Sequence, residues 1–508
     1  MSAKIFSAVT IGLDSDIVEV EVDVLNQGLH NFNIVGLPDI AIKESRDRVS
    51  SAIKNSGFRP PHQCGRITVN LAPADIPKMA PIYDLPMAIG FLLATKQISF
   101  DTNNKLFVGE LSLDGNIRLV HGVLPIALLV KDKNIKELYV PKENAPEASI
   151  VGGIEVIPVN NLYELVNHLL GENKIQSFPS VNAEDIFQEN EYELDMAYVK
   201  GQEHAKRALE IAAAGGHNVI FNGPPGSGKS LLAKSIPSIL PKLTLEESLE
   251  ITKIFSISGK LGKNQALVTI RPFRSPHHSA SSVSLIGGGT YPKPGEISLS
   301  HRGVLFLDEF AEFPKSVLEN LRQPLEDGVI TVSRAKGSLE FPARFILVAA
   351  MNPCPCGNAT DPEKLCSCAP SQIVKYQRKI SGPILDRIDL HVEVPRLKFE
   401  KLEEEKLGEK SADIRRRVEK AREIQNKRFK NMPFFINNEM NHQNIKDFCQ
   451  LNEESKLFLK NAVSNLQLSA RAYHRIIKVA RTIADLAEKD VIETMHLAEA
   501  IQYRFKID

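Results

Sequence analysis

This 508-residue chain has no surplus of charge of either sign: 62 lysines and arginines stand against 62 aspartates and glutamates. That balance gives no global pull toward nucleic acid, so any such partner needs a local basic surface, such as a channel lining. No apolar run approaches the roughly 18 residues that a membrane span requires, and residues 85–94 suffice only for a core helix. The opening residues lack the charged-then-apolar layout of a secretory signal. The six cysteines do not form a secreted disulfide framework, and internal repeats and low-complexity segments are absent. The expectation is a cytoplasmic protein with no membrane partner.

What is present is an ordinary globular composition, 43% hydrophobic and 24% charged, in a chain long enough for about three domains. Residues 1–170 alternate strand and helix signals. Strands are expected at 5–11, 17–24, 32–35, 67–71, 106–108, 138–140 and 154–157, with helices near 40–56, 85–95, 123–131 and 162–170. Residues 171–196 are polar and read as a linker. A second α/β unit with a parallel sheet is expected over 197–395, and a helical region over 396–508. There Ile414, Val418, Ala421 and Gln425 share one helix face, and Tyr473, Ile476, Ile477, Ala480, Ile483 and Ala487 another.

The sharpest signal follows the apolar run 218–221. Gly223, Pro224, Pro225, Gly226, Ser227, Gly228, Lys229 and Ser230 spell a phosphate loop. Its glycines let backbone N–H groups turn toward a phosphate, Lys229 reaches the β/γ-phosphates and Ser230 ligates Mg²⁺. The helix that follows adds its N-terminal dipole. A second apolar run, 303–307, ends in Asp308 and Glu309. Acidic residues at the carboxyl end of a buried parallel strand fit a site in which Asp308 holds Mg²⁺ and Glu309 is the general base for the attacking water. A third run ends in Asn352, placed to hold that water or the γ-phosphate.

Cys354, Cys356, Cys366 and Cys368 form two Cys-x-Cys pairs nine residues apart. Four clustered thiols in a reducing compartment suit tetrahedral Zn²⁺, although the spacing differs from the familiar Cys-x₂-Cys knuckles; four packed reduced thiols are the alternative. His277 and His278 have no nearby third ligand. They read as structural or, with Arg271 and Arg274, as lining a DNA path.

Together these motifs resemble an AAA+ ATPase, more narrowly the magnesium-chelatase-like ComM/YifB family. The resemblance spans nearly the whole chain and includes 36–39, 69–75, 83–86, 271–278, 294–299, 352–357 and 387–392. It implies a homo-oligomeric, hexameric ring that uses ATP and Mg²⁺ to move single-stranded or branched DNA, as in branch migration during natural transformation. By that resemblance Arg387 is the finger reaching a neighbour's γ-phosphate, Arg471 is a sensor from the subunit's own lid, and residues 199–202, with Gln202, pack on adenine. The segment 284–295, with Tyr291 and Lys293, matches the place of a pore hairpin. Residues 74–88 and 109–124 resemble Lon protease segments, yet Ile82 and Leu124 stand near the serine and lysine positions, so the front domain is expected to be Lon-like and inactive. Arg46, Arg48, Lys54, Arg59 and Arg66 are candidate phosphate contacts there. A chelatase-type remodelling ATPase and a Lon-like protease are the competing functions.

Overall fold

The structure is a computed structural model. It describes residues 2–25, 29–36, 40–76, 78, 81–181, 187, 192–263, 265–289, 292–334, 337–397 and 407–504. The chain divides into two compact units, residues 1–189 with 245–269, and residues 190–244 with 270–508.

The first unit is built on a seven-stranded mixed sheet. In spatial order its strands are Asn31–Val35, Arg66–Ala72, Asp14–Leu25, Ser2–Ile11, Lys105–Phe107, Glu137–Pro141 and Glu155–Val159. All seven stand where the sequence places them. The period-2 pattern explains the central hairpin: Val18, Val20, Val22 and Val24 are buried while Glu19, Glu21 and Asp23 face away. Ser2–Ile11 pairs with it antiparallel from Ser2↔Asp23 to Ile11↔Asp14. Helix Asp84–Ala94, apolar on every side, lies in the core as its composition demands.

Two expectations for this unit change. Arg48 is not a free cation: its Nε donates to Asp84 Oδ2 at 2.7 Å and its guanidinium also reaches Ser45 Oγ at 2.8 Å. Burial pushes the Asp84 carboxyl up to about 6, and Arg48 offsets only part of this. Arg48 therefore ties a helix to the core, while Arg46, Lys54, Arg59 and Arg66 are exposed. The second change concerns residues 245–269, expected within the stretch 197–395. Helix Leu245–Ser258 packs with the first unit, with Leu249 against its core and Gly259 beside His121. The apolar positions of the helix, among them Ile251 and Ile254, are satisfied there.

The second unit carries a five-stranded sheet in the order Phe273–Arg274, Val304–Leu307, Ile346–Met351, Val219–Asn222, Leu390–Glu393, every neighbouring pair parallel. The three central strands are nearly continuous apolar runs because both faces are covered. Helices Ser411–Arg428 and Ala470–Leu486 bury the faces read from sequence, including Ile414, Val418, Ala421, Ile476 and Ile483. They share one hydrophobic cluster with the sheet and helix Glu203–Gly215. A polar tie reinforces this. Asp389, fully buried at the start of the last strand, accepts from the Asn218 backbone N–H at 2.9 Å and pairs with Arg475 of the second helix. Despite burial, Arg475 holds the Asp389 carboxyl well below the usual range.

Candidate active site

Strand order sets the site. Ile346–Met351 runs between the strand that feeds the phosphate loop and the one that ends at Asp308, so three carboxyl ends open on one crevice. The loop's spelling follows from its backbone. Gly226 and Gly228 have φ of +76° and +94°, the left-handed region that residues with a Cβ enter at a cost of about 1–2 kcal/mol. At Gly223 a Cβ would lie 2.1 Å from the Val394 carbonyl oxygen. Helix Lys229–Ser235 starts directly at Gly228.

Lys229 is buried and folded back on the loop. Its Nζ donates to the carbonyl oxygens of Gly223 at 2.6 Å and Pro224 at 2.8 Å, and to Asn352 Oδ1 at 3.3 Å. Burial lowers its pKa to about 8, against the pull of Asp308. Ser230 Oγ donates to Asp308 Oδ2 at 2.8 Å, and the Glu309 backbone N–H fixes the other Asp308 oxygen at 2.9 Å. Two hard oxygen donors thus meet beside Lys229, a donor set that fits Mg²⁺ bridging protein and phosphates. Bound there, the ion would draw charge from the phosphate oxygens; Ser230 and Asp308 would hold it.

Glu309 sits at the end of its strand with φ +51°, its side chain half exposed. Its Oε2 lies 2.9 Å from His278 Nδ1. His278 follows strand Phe273–Arg274, which is adjacent to the acidic strand. Sequence reasoning assigns His278 no role of this kind; the signal is its position just beyond a strand that neighbours the one ending at Asp308 and Glu309. Arg271 and Arg274 are engaged inside the unit. Arg271 donates to the carbonyls of Pro241 at 2.7 Å and Arg302 at 2.8 Å, and Arg274 grips Glu296 bidentately at 2.6 and 2.9 Å. Their structural use explains their presence without a DNA path.

Next to the loop a pocket of about 430 Å³ is lined by Tyr198, Val199, Lys200, Gln202, Gly226, Ser227, Gly228, Leu231, Glu363, Arg396 and Leu397. The segment expected to pack on adenine forms one wall. Gln202 Nε2 donates to the carbonyls of Pro395 at 2.7 Å and Ser227 at 3.3 Å, which joins that wall to the loop.

The two arginines lie elsewhere. Arg387 is buried, its Nη1 donating to the Pro383 carbonyl at 2.6 Å and its Nη2 paired with Glu326. Arg471 is 58% exposed and reaches the same Glu326 oxygen at 3.7 Å. Among the described residues neither contacts Lys229, Ser230, Asp308 or Glu309; one carboxylate gathers both. Glu326, held below the usual carboxylate range by Arg387, had no motif to announce it.

Gly287 and Gly288 pair antiparallel with Pro294 and Lys293, so a hairpin stands in the expected segment; Tyr291 lies outside the described residues. Among the described residues, Cys354, Cys356, Cys366 and Cys368 form one cluster, their sulfurs all within 4.8 Å of one another. In the first unit, Ile82 and Leu124 are buried.

Sheet, loop and acidic pair define a phosphate-loop ATPase of the AAA+ class. The family described as "Magnesium chelatase, subunit ChlI" matches residues 195–402, that described as "Subunit ChlI of Mg-chelatase" matches 20–144, and "Magnesium chelatase, subunit ChlI C-terminal" matches 408–504. The chain is 46% identical over 506 residues to competence protein ComM of Haemophilus influenzae, covering 99% of this chain and 97% of that one. It is 42% identical over 499 residues to the uncharacterized protein YifB of Escherichia coli, covering 97% and 95%. It is also 42% identical over 503 residues to the uncharacterized protein Rv2897c of Mycobacterium tuberculosis, covering 99% and 98%. The chain belongs to the magnesium-chelatase-like ComM/YifB family of AAA+ ATPases, which implies ATP and Mg²⁺ as its cofactors. Among the described residues, no helix is long and apolar enough to cross a membrane.

Proposed function

We propose that this chain is the cytoplasmic protomer of a homo-oligomeric, six-membered DNA motor that migrates branched DNA during recombination. One observation carries the reading. Lys229, Ser230, Asp308, Glu309 and Asn352 converge on one crevice, whereas the cations that would neutralise γ-phosphate charge, Arg387 and Arg471, are gathered on Glu326. A site with its binding and base groups in place and its arginines elsewhere suits completion by a neighbour. In turnover Lys229 would leave the loop carbonyls for the β/γ-phosphates. Asn352, released by Lys229, would hold the lytic water while Glu309 takes its proton. Arg387 would approach the γ-phosphate of the next protomer, while Arg471 would leave Glu326 to sense the γ-phosphate of its own subunit.

The full-length likeness to a protein named for competence supports DNA as the cargo. The Lon-like front unit then serves DNA engagement or ring assembly, with Arg46, Lys54, Arg59 and Arg66 as exposed cations. The deciding experiment is unwinding of three- and four-way DNA junctions, with Lys229→Ala as control. ATP-dependent resolution and DNA-stimulated hydrolysis are expected; hydrolysis indifferent to DNA, with junctions left intact, would overturn the motor. The chelatase-type remodelling reading draws on the match to the magnesium-chelatase family and predicts that second outcome. Protease action is disfavoured because neither Ile82 nor Leu124 can attack a carbonyl or accept a proton.

A further inference from the structure

The cysteine loop touches the nucleotide pocket, and its sulfurs are spaced as if around an ion. Cys354 Sγ lies 3.4 Å from Cys356 Sγ and 3.7 Å from Cys366 Sγ, and Cys356 Sγ lies 3.6 Å from Cys366 Sγ. A disulfide needs about 2.05 Å, so these are not bonded sulfurs. With metal–sulfur bonds of about 2.3 Å, a tetrahedral site has edges of about 3.8 Å. The Cys356 backbone N–H also donates to Cys368 Sγ at 3.4 Å, the kind of outer contact that orients a thiolate ligand. Cys354 is fully buried and the other three are partly so.

The nine residues between the two cysteine pairs rest on the nucleotide site. A Cβ on Gly357 would meet Pro225 of the phosphate loop at 2.6 Å and Asn352 Cγ at 3.9 Å. Further along, Asp361 and Glu363 hold Arg396 at 3.6 and 3.3 Å, and Glu363 and Arg396 line the pocket with Gly226 and Gly228. The loop contains no regular helix or strand, so its hold comes from its two ends and from the Arg396 contacts.

We infer that Cys354, Cys356, Cys366 and Cys368 bind one Zn²⁺ as a closed tetrathiolate site, and that this ion holds residues 357–365 as a wall of the nucleotide pocket. This rests on the phosphate-loop reading for the pocket's occupant, but the metal site stands on its own geometry. Zinc is redox-inert and takes four thiolates as a structural ion. Its removal frees the wall, and nucleotide binding must then order it, a coupling that typically amounts to about 5–150-fold in affinity.

The test uses the full-length chain purified without chelators. Elemental analysis should find one zinc per chain, lost in Cys366→Ser/Cys368→Ser, and a fluorescent ATP analogue should bind that variant about tenfold more weakly. Should the variant fail to fold, zinc is stripped from the native chain and restored, with affinity following the metal. Cobalt replacement should give the absorption of a tetrahedral tetrathiolate. Wild-type protein without zinc, or with iron in its place, overturns the assignment. Zinc whose removal leaves nucleotide affinity unchanged overturns the wall. The Lys229→Ala variant keeps the two readings apart: it should lose nucleotide while retaining zinc, and if it keeps nucleotide the phosphate-loop reading fails with the metal site intact.

Discussion

Lys229 carries a charge that its surroundings resist until a phosphate arrives. Burial favours its neutral form in the free protein, with a pKa near 8 instead of 10.5, and a bound triphosphate favours the cation. Binding therefore takes up a proton between those values, and nucleotide affinity should fall as pH rises through that window. A fluorescence titration across it checks this; a level profile contradicts it. Arg387→Ala should lower ATP turnover about 10³–10⁵-fold while leaving nucleotide affinity unchanged; turnover near wild type would remove the finger. His278 restrains Glu309 at 2.9 Å. In His278→Ala that carboxylate is released, so hydrolysis without DNA should change while nucleotide affinity stays the same; identical DNA-free turnover would show the contact to be idle.

Helix Ala470–Leu486 is joined to the sheet by a buried charge pair, and breaking such a pair on one side costs about 3–5 kcal/mol. Arg475→Leu should therefore strongly lower the melting temperature, because Asp389 is left charged without its partner. Asp389→Asn/Arg475→Leu should recover much of the loss, which a thermal melt of both variants checks. Elements were largely legible in advance. Alternation in 14–25 and the unbroken apolar run at 304–307 each admit one kind of strand, and glycines at fixed offsets announce the phosphate loop. Contacts made across distant sequence were not legible. Glu326 carries no motif of its own, Arg48 reads as any surface arginine until Asp84 is seen beneath it, and helix Leu245–Ser258 has a weak pattern that hid which unit it serves.

Oligomers with shared sites allow one subunit to repair another. Lys229→Ala lacks the nucleotide grip but keeps Arg387, and Arg387→Ala keeps the grip but lacks the guanidinium. Each alone should be inert, and an equimolar mixture should regain measurable hydrolysis; an inert mixture would argue for catalysis within one chain. A topological consequence also follows from residues 245–269. The backbone passes between the two units three times, at 189/190, 244/245 and 269/270. No single cut can release the ATPase half intact. A fragment beginning at residue 190 would bring along a helix stripped of its cover, with Leu249, Ile251 and Ile254 bared to water, and should precipitate unless 245–269 is replaced by a short polar bridge.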